Sequence, residues 1–141
     1  MADCIFCKII SGDIPSCKIY EDEEVLAFLD ISQTTKGHTL LIPKIHVRNI
    51  LDMTESTASS LFARLPKIAR ALQKATGAPA MNIINNSEEI AGQTVFHAHI
   101  HLVPRYGSED GLSIRYTTNE PDFAVLGKMA EQIAKEVTDE A

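Results

Sequence analysis

The sequence predicts an α+β fold in which a mostly antiparallel sheet is accompanied by helices that lie outside it. Short β-rich runs bounded by turn residues recur as far as residue 104. Two longer segments, one central and one near the C-terminus, instead repeat apolar residues at helical spacing. Strands and helices therefore do not alternate regularly, which favours α+β over a parallel α/β sheet.

The segment before residue 44 is expected to contribute one helical turn and three strands, at residues 4–10, 16–20, 25–31 and 38–43. A loop signal at residues 11–15 ends the turn, and the acidic run at residues 21–24 joins the first two strands. Pro43 would end the pairing of the third strand, because proline has no backbone N–H.

The central helix is predicted over residues 54–76 from apolar residues at helical spacing: Leu61, Leu65, Ile68 and Leu72. Gly77 stands where a glycine commonly ends a helix. Pro66 removes one helical N–H, so we expect one helix that is kinked there. The leucine-rich row could face the core or a second subunit.

The second half of the chain is expected to hold a strand at residues 81–85, a polar loop at 86–94 and a histidine-bearing strand at 95–104. Pro121 is taken as the first residue of a C-terminal helix. Four apolar residues mark that helix: Leu126, Met129, Ile133 and Val137.

Length, composition and net charge limit the classes of protein to which this chain could belong. A chain of 141 residues with 45% hydrophobic content fits a single globular domain over residues 1–141. The net charge of −6, without a Lys/Arg stripe, argues against a nucleic-acid polymer as partner but leaves room for a small phosphate ligand. No apolar run approaches the length of a membrane helix, and the three cysteines favour a reducing, cytoplasmic location.

Three histidines alternate with apolar residues between His97 and Val103. In a strand they would share one face at intervals of roughly 6–7 Å. An imidazole becomes a nucleophile toward phosphorus when its other nitrogen donates a fixed hydrogen bond, a role that His99 could take in the middle of the row. His101 would supply a second ring or a proton, and His38 could lie beside the row. Two alternatives stay open: structural histidines, or one metal ion held by all three rings.

An apolar pair followed by a carboxylate shares one face of the second strand: Leu26, Phe28 and Asp30. This arrangement suits a nucleoside, with the base near Phe28 and the ribose hydroxyls on Asp30. The alternative is that Phe28 belongs to the core and Asp30 caps a turn.

The loop before the histidines contains Gly92, Gln93 and Thr94. Glycine permits close approach to a phosphate, and the amide and hydroxyl side chains are hydrogen-bond donors. A plain connection into the next strand is the alternative.

Cys4 and Cys7 have the spacing of two ligands of a tetrahedral Zn²⁺ ion. Cys17 is the only other cysteine, so a four-thiolate site is impossible and histidines would have to complete the set. A redox Cys-x-x-Cys motif is the alternative, although the βαβ context of such sites is missing. Cys17 is expected to be a packed strand residue.

These motifs together resemble the histidine triad (HIT) superfamily, in particular the Hint-like branch in its bacterial or archaeal zinc-bearing form. The resemblance covers about residues 4–106 and rests on five segments: Cys4–Cys7, Phe28–Ile31, Gly37–His46, Ala91–Val95 and His97–Val103. It implies a sheet of about five strands with a central and a C-terminal helix, continued across a homodimer. Residues 107–141 would then form a C-terminal specificity loop and helix.

The resemblance also implies residue roles. His99 would attack an α-phosphate to form a nucleotidyl-histidine. Asn86 would lie near the ribose and phosphate, Ile31 would contact the base, and His46 and His97 would complete a structural Cys₂His₂ zinc site. The full predicted nucleotide site is Phe28, Asp30, Ile31, Asn86, Gly92, Gln93, Thr94, His99 and His101.

The implied function is a nucleotide hydrolase or transferase that acts at the α-phosphate, and the expected activity is release of AMP from purine nucleoside phosphoramidates. A dinucleoside polyphosphate hydrolase is the first alternative, and a nucleotide-binding interaction module with incidental catalysis is the second. A transferase of the galactose-1-phosphate uridylyl type, which resembles this chain at the histidine motif, is disfavoured because such a chain would be longer than this one. The segment from Arg105 to Tyr116 would receive the leaving group, so its side chains should distinguish the two hydrolase activities. Four of its residues could contact the leaving group: Arg105, Tyr106, Arg115 and Tyr116.

Overall fold

The computed structural model describes residues 3–137, which form a five-stranded sheet and three α-helices. The strands are β1 (Lys18–Glu21), β2 (Val25–Leu29), β3 (Thr39–Pro43), β4 (Ala80–Ile84) and β5 (Ile100–Arg105). The helices are α1 (Ile5–Ser11), α2 (Glu55–Thr76) and α3 (Phe123–Glu136). The strands lie in the order β1-β2-β3-β5-β4 and every neighbouring pair is antiparallel, which confirms the α+β prediction.

Each face of the sheet buries its own apolar cluster, because alternate side chains of a strand point to opposite faces. One face packs against α2, through Val25, Leu41 and Leu102. The other packs against α1, where Phe6 meets Leu40 and Phe28. His101 pairs with Leu40 across the ladder, so its ring lies on the α1 face.

Helix α2 continues through Pro66, and Thr54 caps its start by accepting a hydrogen bond from the Thr57 amide. The loss of one backbone bond at Pro66 is offset by apolar burial along the helix. Three members of the leucine-rich row are buried in the core: Leu61, Ile68 and Leu72. The row therefore faces the core of its own subunit.

The prediction of a strand from residue 95 is wrong, because β5 begins at Ile100. Pairing between β3 and β5 ends at Leu41 and Ile100. Beyond that point the Ala98 amide donates to the Val47 carbonyl over 2.8 Å, which takes the chain out of the β3 ladder. His97 and His99 consequently lie in the segment that enters the strand.

The start of α3 also differs from the prediction. The Asp122 side chain accepts a hydrogen bond from the Val125 amide over 3.2 Å and caps the helix, so Pro121 precedes the cap. Every described residue of α3 is exposed to solvent. None of the helices within residues 3–137 is long and apolar enough to cross a membrane.

Candidate active site and metal centre

His99 is buried on the α1 face of the sheet, where the Phe6 ring packs edge-on against it with centroids 5.1 Å apart. Its Nδ1–H donates to the His97 carbonyl over 2.7 Å. This bond fixes the tautomer, so Nε2 carries the lone pair. Burial lowers the pKa of His99 below its usual value, although the bond to the His97 carbonyl opposes that change.

His38 and His101 form a second pair of rings, with Nε2 of His38 2.9 Å from Nδ1 of His101. The Thr34 amide donates to Nδ1 of His38 over 3.3 Å, so the proton of His38 sits on Nε2 and is donated to His101. The proton of His101 must then reside on its Nε2. The His99 and His101 ring centroids are 5.0 Å apart, so the ring that carries this N–H packs against the ring of the candidate nucleophile.

Asp30 has two contacts at the edge of the site. One oxygen accepts the Ser32 amide over 2.8 Å, and the other lies 3.6 Å from Nε2 of His38. The carboxylate therefore caps a turn and also faces the histidines. Ile31 beside it is 98% exposed and open to a ligand.

Phe28, which was predicted to lie near the base, is buried in the core cluster on the α1 face of the sheet. The ring is 3% exposed and packs edge-on against Phe6 with centroids 5.6 Å apart. Phe28 is a core residue in this structure, as the alternative interpretation of its alternating pattern stated.

The loop of residues 86–94 brings Asn86 against Gly92, whose φ is 105°. Thr94 is exposed, but Gln93 is buried. The Gln93 amide donates to the carbonyls of Arg48 and Val95 over 2.6 and 3.0 Å. Both of its hydrogens are thus used within the protein, which corrects the prediction that this side chain donates to a ligand.

Three residues that support the histidines were not predicted as site residues. Phe6 contacts both the His97 and His99 rings, and Thr34 orients His38. Asn85 donates its amide to the His99 carbonyl over 2.8 Å. The only signal for Asn85 was its position next to Asn86, since the contact joins residues fourteen apart in sequence.

The four predicted metal ligands, Cys4, Cys7, His46 and His97, come together with all ligand atoms within 4.8 Å of one another. Nδ1 of His97 lies 3.4 Å from Sγ of Cys4, 3.6 Å from Sγ of Cys7 and 3.2 Å from Nδ1 of His46. Zinc bond lengths give a tetrahedron with edges of roughly 3.6 Å between sulfur and nitrogen and roughly 3.3 Å between nitrogens. The spacing of these atoms therefore fits a Zn²⁺ ion.

The tautomer of His97 favours the same conclusion. Its Nε2–H donates to the Pro43 carbonyl over 2.8 Å, which leaves Nδ1 unprotonated and aimed at the cysteines.

A second cluster, formed by Asp30, His38 and His101, lies on the other side of His99. There the nitrogen of His38 that faces the cluster carries a proton, because Thr34 holds Nδ1 as an acceptor. The first cluster is thus the better metal site.

The histidine row is divided between these two clusters. His97 faces the cysteines and His101 faces His38, so the alternative of one ion shared by all three rings is wrong. Cys17 is exposed and precedes β1, which corrects the prediction that it packs within a strand.

Arg105 is engaged in structural contacts. Its guanidinium binds the Asp110 carboxylate at 2.9–3.0 Å, the Asn82 side chain at 2.6 Å and the Leu112 carbonyl at 2.9 Å. The Tyr106 hydroxyl donates to the Lys36 carbonyl. Arg115 and Tyr116 are exposed.

Comparison with known proteins decides the family. The HIT domain family matches residues 11–108. The chain belongs to the HIT family. Among curated HIT relatives, "Protein hit" of Bacillus subtilis is 52% identical over 135 residues, which cover 94% of this chain and 93% of the relative. An adenosine 5'-monophosphoramidase of Saccharomyces cerevisiae is 39% identical over 132 residues, covering 94% and 81%.

Solved HIT structures show the same fold. A Streptococcus mutans protein with 69% identity superposes with a TM-score of 0.93 over 96% of this chain and 86% of its own. A zinc-bound histidine triad protein of Mycobacterium smegmatis, with 40% identity, has a TM-score of 0.73 over 96% and 99%.

Proposed function

We propose that this HIT protein hydrolyses nucleotides at the α-phosphate through a nucleotidyl intermediate on His99, and that its preferred substrates are purine nucleoside phosphoramidates, which release AMP. The observation that carries the proposal is the hydrogen bond from Nδ1 of His99 to the His97 carbonyl, because it leaves Nε2 as the nucleophilic nitrogen. The phosphoramidase named among its relatives supports the choice of leaving group.

The reaction has two steps. Nε2 of His99 attacks the α-phosphorus, and the bond from phosphorus to the leaving amine breaks with its electron pair on that amine. The proton on Nε2 of His101 neutralises the amine as it leaves. Water then attacks the phosphorus and breaks the bond to His99, returning its proton to His101 as AMP forms.

The nucleoside monophosphate would occupy the rim between Asp30 and the loop of residues 86–94. Asp30 would accept hydrogen bonds from the ribose hydroxyls, and the exposed Ile31 would contact the base. Three further groups would contact the ribose and phosphate: Asn86, Gly92 and Thr94. Gln93 would contribute by holding this loop, since its side chain is buried and fully hydrogen-bonded.

A dinucleoside polyphosphate hydrolase remains the second candidate. Such a substrate has a long anionic leaving group, which needs cationic partners. Arg105 is already bound to Asp110. The exposed Arg115 is therefore the arginine of the predicted specificity segment that could bind the anionic leaving group. A third candidate, a nucleotide-binding module, would retain its role without the His99 imidazole.

We further propose that Cys4, Cys7, His46 and His97 hold a structural Zn²⁺ ion. Two thiolate ligands require reduced cysteines, which is the condition of the cytoplasm. A homodimer is proposed as well, in which β4, one of the two edge strands of the sheet, would continue the sheet into a second subunit. The exposed apolar residues of α3, including Phe123, Leu126 and Met129, would be covered in such a dimer.

The deciding experiment measures AMP release from adenosine 5′-phosphoramidate by the wild type and by His99→Ala, with diadenosine tetraphosphate as a second substrate. We expect turnover by the wild type and none by the variant, which should still bind AMP and melt at a similar temperature. Turnover by His99→Ala would remove His99 as nucleophile. A folded wild type that cleaves only diadenosine tetraphosphate would establish the second candidate.

A further inference from the structure

The backbone at Glu88 is unusual among residues 3–137, where it is the one residue other than glycine with a positive φ. Its φ of 78° and ψ of 158° fall in a region that glycine alone adopts readily, because a Cβ atom meets the backbone there. A residue stays in this conformation only when its surroundings hold it. Glu88 lies within the loop that the proposed function places against the nucleotide.

Arg48 and Asn49 hold the Glu88 side chain. The guanidinium of Arg48 binds the carboxylate with both arms of its fork, Nε to Oε2 over 2.7 Å and Nη2 to Oε1 over 2.9 Å. The buried Asn49 adds a bond of 2.6 Å from its amide. These partners, led by Arg48, lower the pKa of Glu88 to about 2, so the carboxylate is charged at neutral pH.

The Glu88 backbone connects this ion pair to the phosphate side of the loop. The Glu88 N–H donates to Oε1 of the Gln93 side chain over 2.8 Å, and the Glu88 carbonyl accepts a hydrogen bond from the backbone N–H of Gln93 over 3.2 Å. The Gln93 side chain donates in turn to the Arg48 carbonyl over 2.6 Å. Glu88, Gln93 and Arg48 thereby form a closed ring of hydrogen bonds, and the Arg48 guanidinium also stacks over Phe96 at 4.3 Å.

We propose that Glu88 and Arg48 are positioning residues that hold Gly92, Gln93 and Thr94 in the conformation that receives a nucleotide phosphate. The inference rests on the proposed function. A loop ordered before binding loses little conformational freedom when the ligand arrives, so its contacts contribute more fully to affinity. The hydrogen bonds that close this ring stabilise the loop and thereby offset the cost of the strained Glu88 backbone.

The test compares dissociation constants for AMP and adenosine in the wild type, Glu88→Gln and Arg48→Gln, with Glu89→Gln as the control. Glu89 is an exposed neighbour of the same charge, and its side chain makes no hydrogen bond within the described residues. We expect AMP to bind about tenfold more weakly to Glu88→Gln and Arg48→Gln, with adenosine little changed. Glu89→Gln should bind both as the wild type does.

Glu88→Gly provides a variant that tolerates the backbone conformation, because glycine adopts a positive φ without strain. It removes the carboxylate and should also lose AMP affinity, even if Glu88→Gln folds poorly. Unchanged AMP binding in Glu88→Gly, or equal losses for AMP and adenosine in Glu88→Gln and Arg48→Gln, would overturn the inference. Failure of the proposed function would look different, since the wild type would then release no AMP from adenosine 5′-phosphoramidate, whatever the AMP affinities of the variants.

Discussion

The His97 ring donates its Nε2–H to the Pro43 carbonyl at the end of β3, over 2.8 Å. This bond leaves Nδ1 of His97 facing Cys4 and Cys7, whereas His99, two residues later, donates through Nδ1 and keeps Nε2 bare. Backbone carbonyls thus set opposite tautomers in two histidines of one motif. The first ring is suited to a metal and the second to phosphorus.

Loss of the two cysteines should remove the metal and destabilise the fold together. We expect Cys4→Ser with Cys7→Ser to purify without zinc, because hydroxyls are poor zinc ligands. A loss of about 3 kcal/mol of metal-derived stability would lower the melting temperature by roughly 6–12 °C. Metal analysis and calorimetry measure both. Cys17→Ser is the control, since Cys17 is exposed and outside the cluster; a wild type without zinc that is indifferent to chelators would refute the site.

Asp30→Asn should weaken binding of ribonucleotides by roughly tenfold while affecting 2′,3′-dideoxy analogues much less. The amide retains an oxygen for the Ser32 N–H, so the turn should survive, but it loses the charge that would bind the ribose hydroxyls. Calorimetric titration with AMP and 2′,3′-dideoxy-AMP gives the comparison. Equal losses for both ligands would argue against the ribose contact.

Asn85 and Asn86 should have separable effects on kinetics. Asn85→Ala removes the hydrogen bond to the His99 carbonyl, so we expect kcat to fall by about tenfold with little change in KM. Asn86→Ala removes a group packed beside Gly92 and should instead raise KM. Steady-state kinetics on adenosine 5′-phosphoramidate tests the pair. The same effect from both variants would mean that Asn85 does not position His99 in particular.

Stability should decrease in mild acid because of His101. Burial, together with the nearby His99 and His38 rings, lowers the pKa of His101 to about 4, and the Asp30 carboxylate opposes this change. The ring titrates at about 6.5 in an unfolded chain, so the unfolded state takes up this proton first. The stability contributed by the neutral ring is therefore present above about pH 6.5 and is lost as pH falls toward 4.

Urea unfolding of the wild type and His101→Asn between pH 8 and 4 measures this effect. We expect the free energy of unfolding to fall less steeply with acid in the variant, which lacks the group. Parallel curves for the two proteins would show that His101 does not account for the acid sensitivity.

Local patterns predicted the elements of this fold well. Apolar spacing and the flanking Thr54 and Gly77 located α2 to within one residue. The start of β5 was misplaced because alternation describes side-chain direction and says nothing about which backbone partner is within reach. The pattern could not decide the burial of Phe28 for a related reason: an apolar residue beside a site and one beneath it alternate in the same way.

The sequence by itself determined the element order, the chemical groups available for the site and the resemblance that named the family. Residue types and spacing are sufficient for those, because they fix periodicity and donor atoms. Only the tertiary structure decided which histidine nitrogen is bare, that the Gln93 amide is used internally and that Arg105 is bound to Asp110. Each of these depends on hydrogen bonds to groups brought near by folding, and no local pattern in the chain encodes such partners.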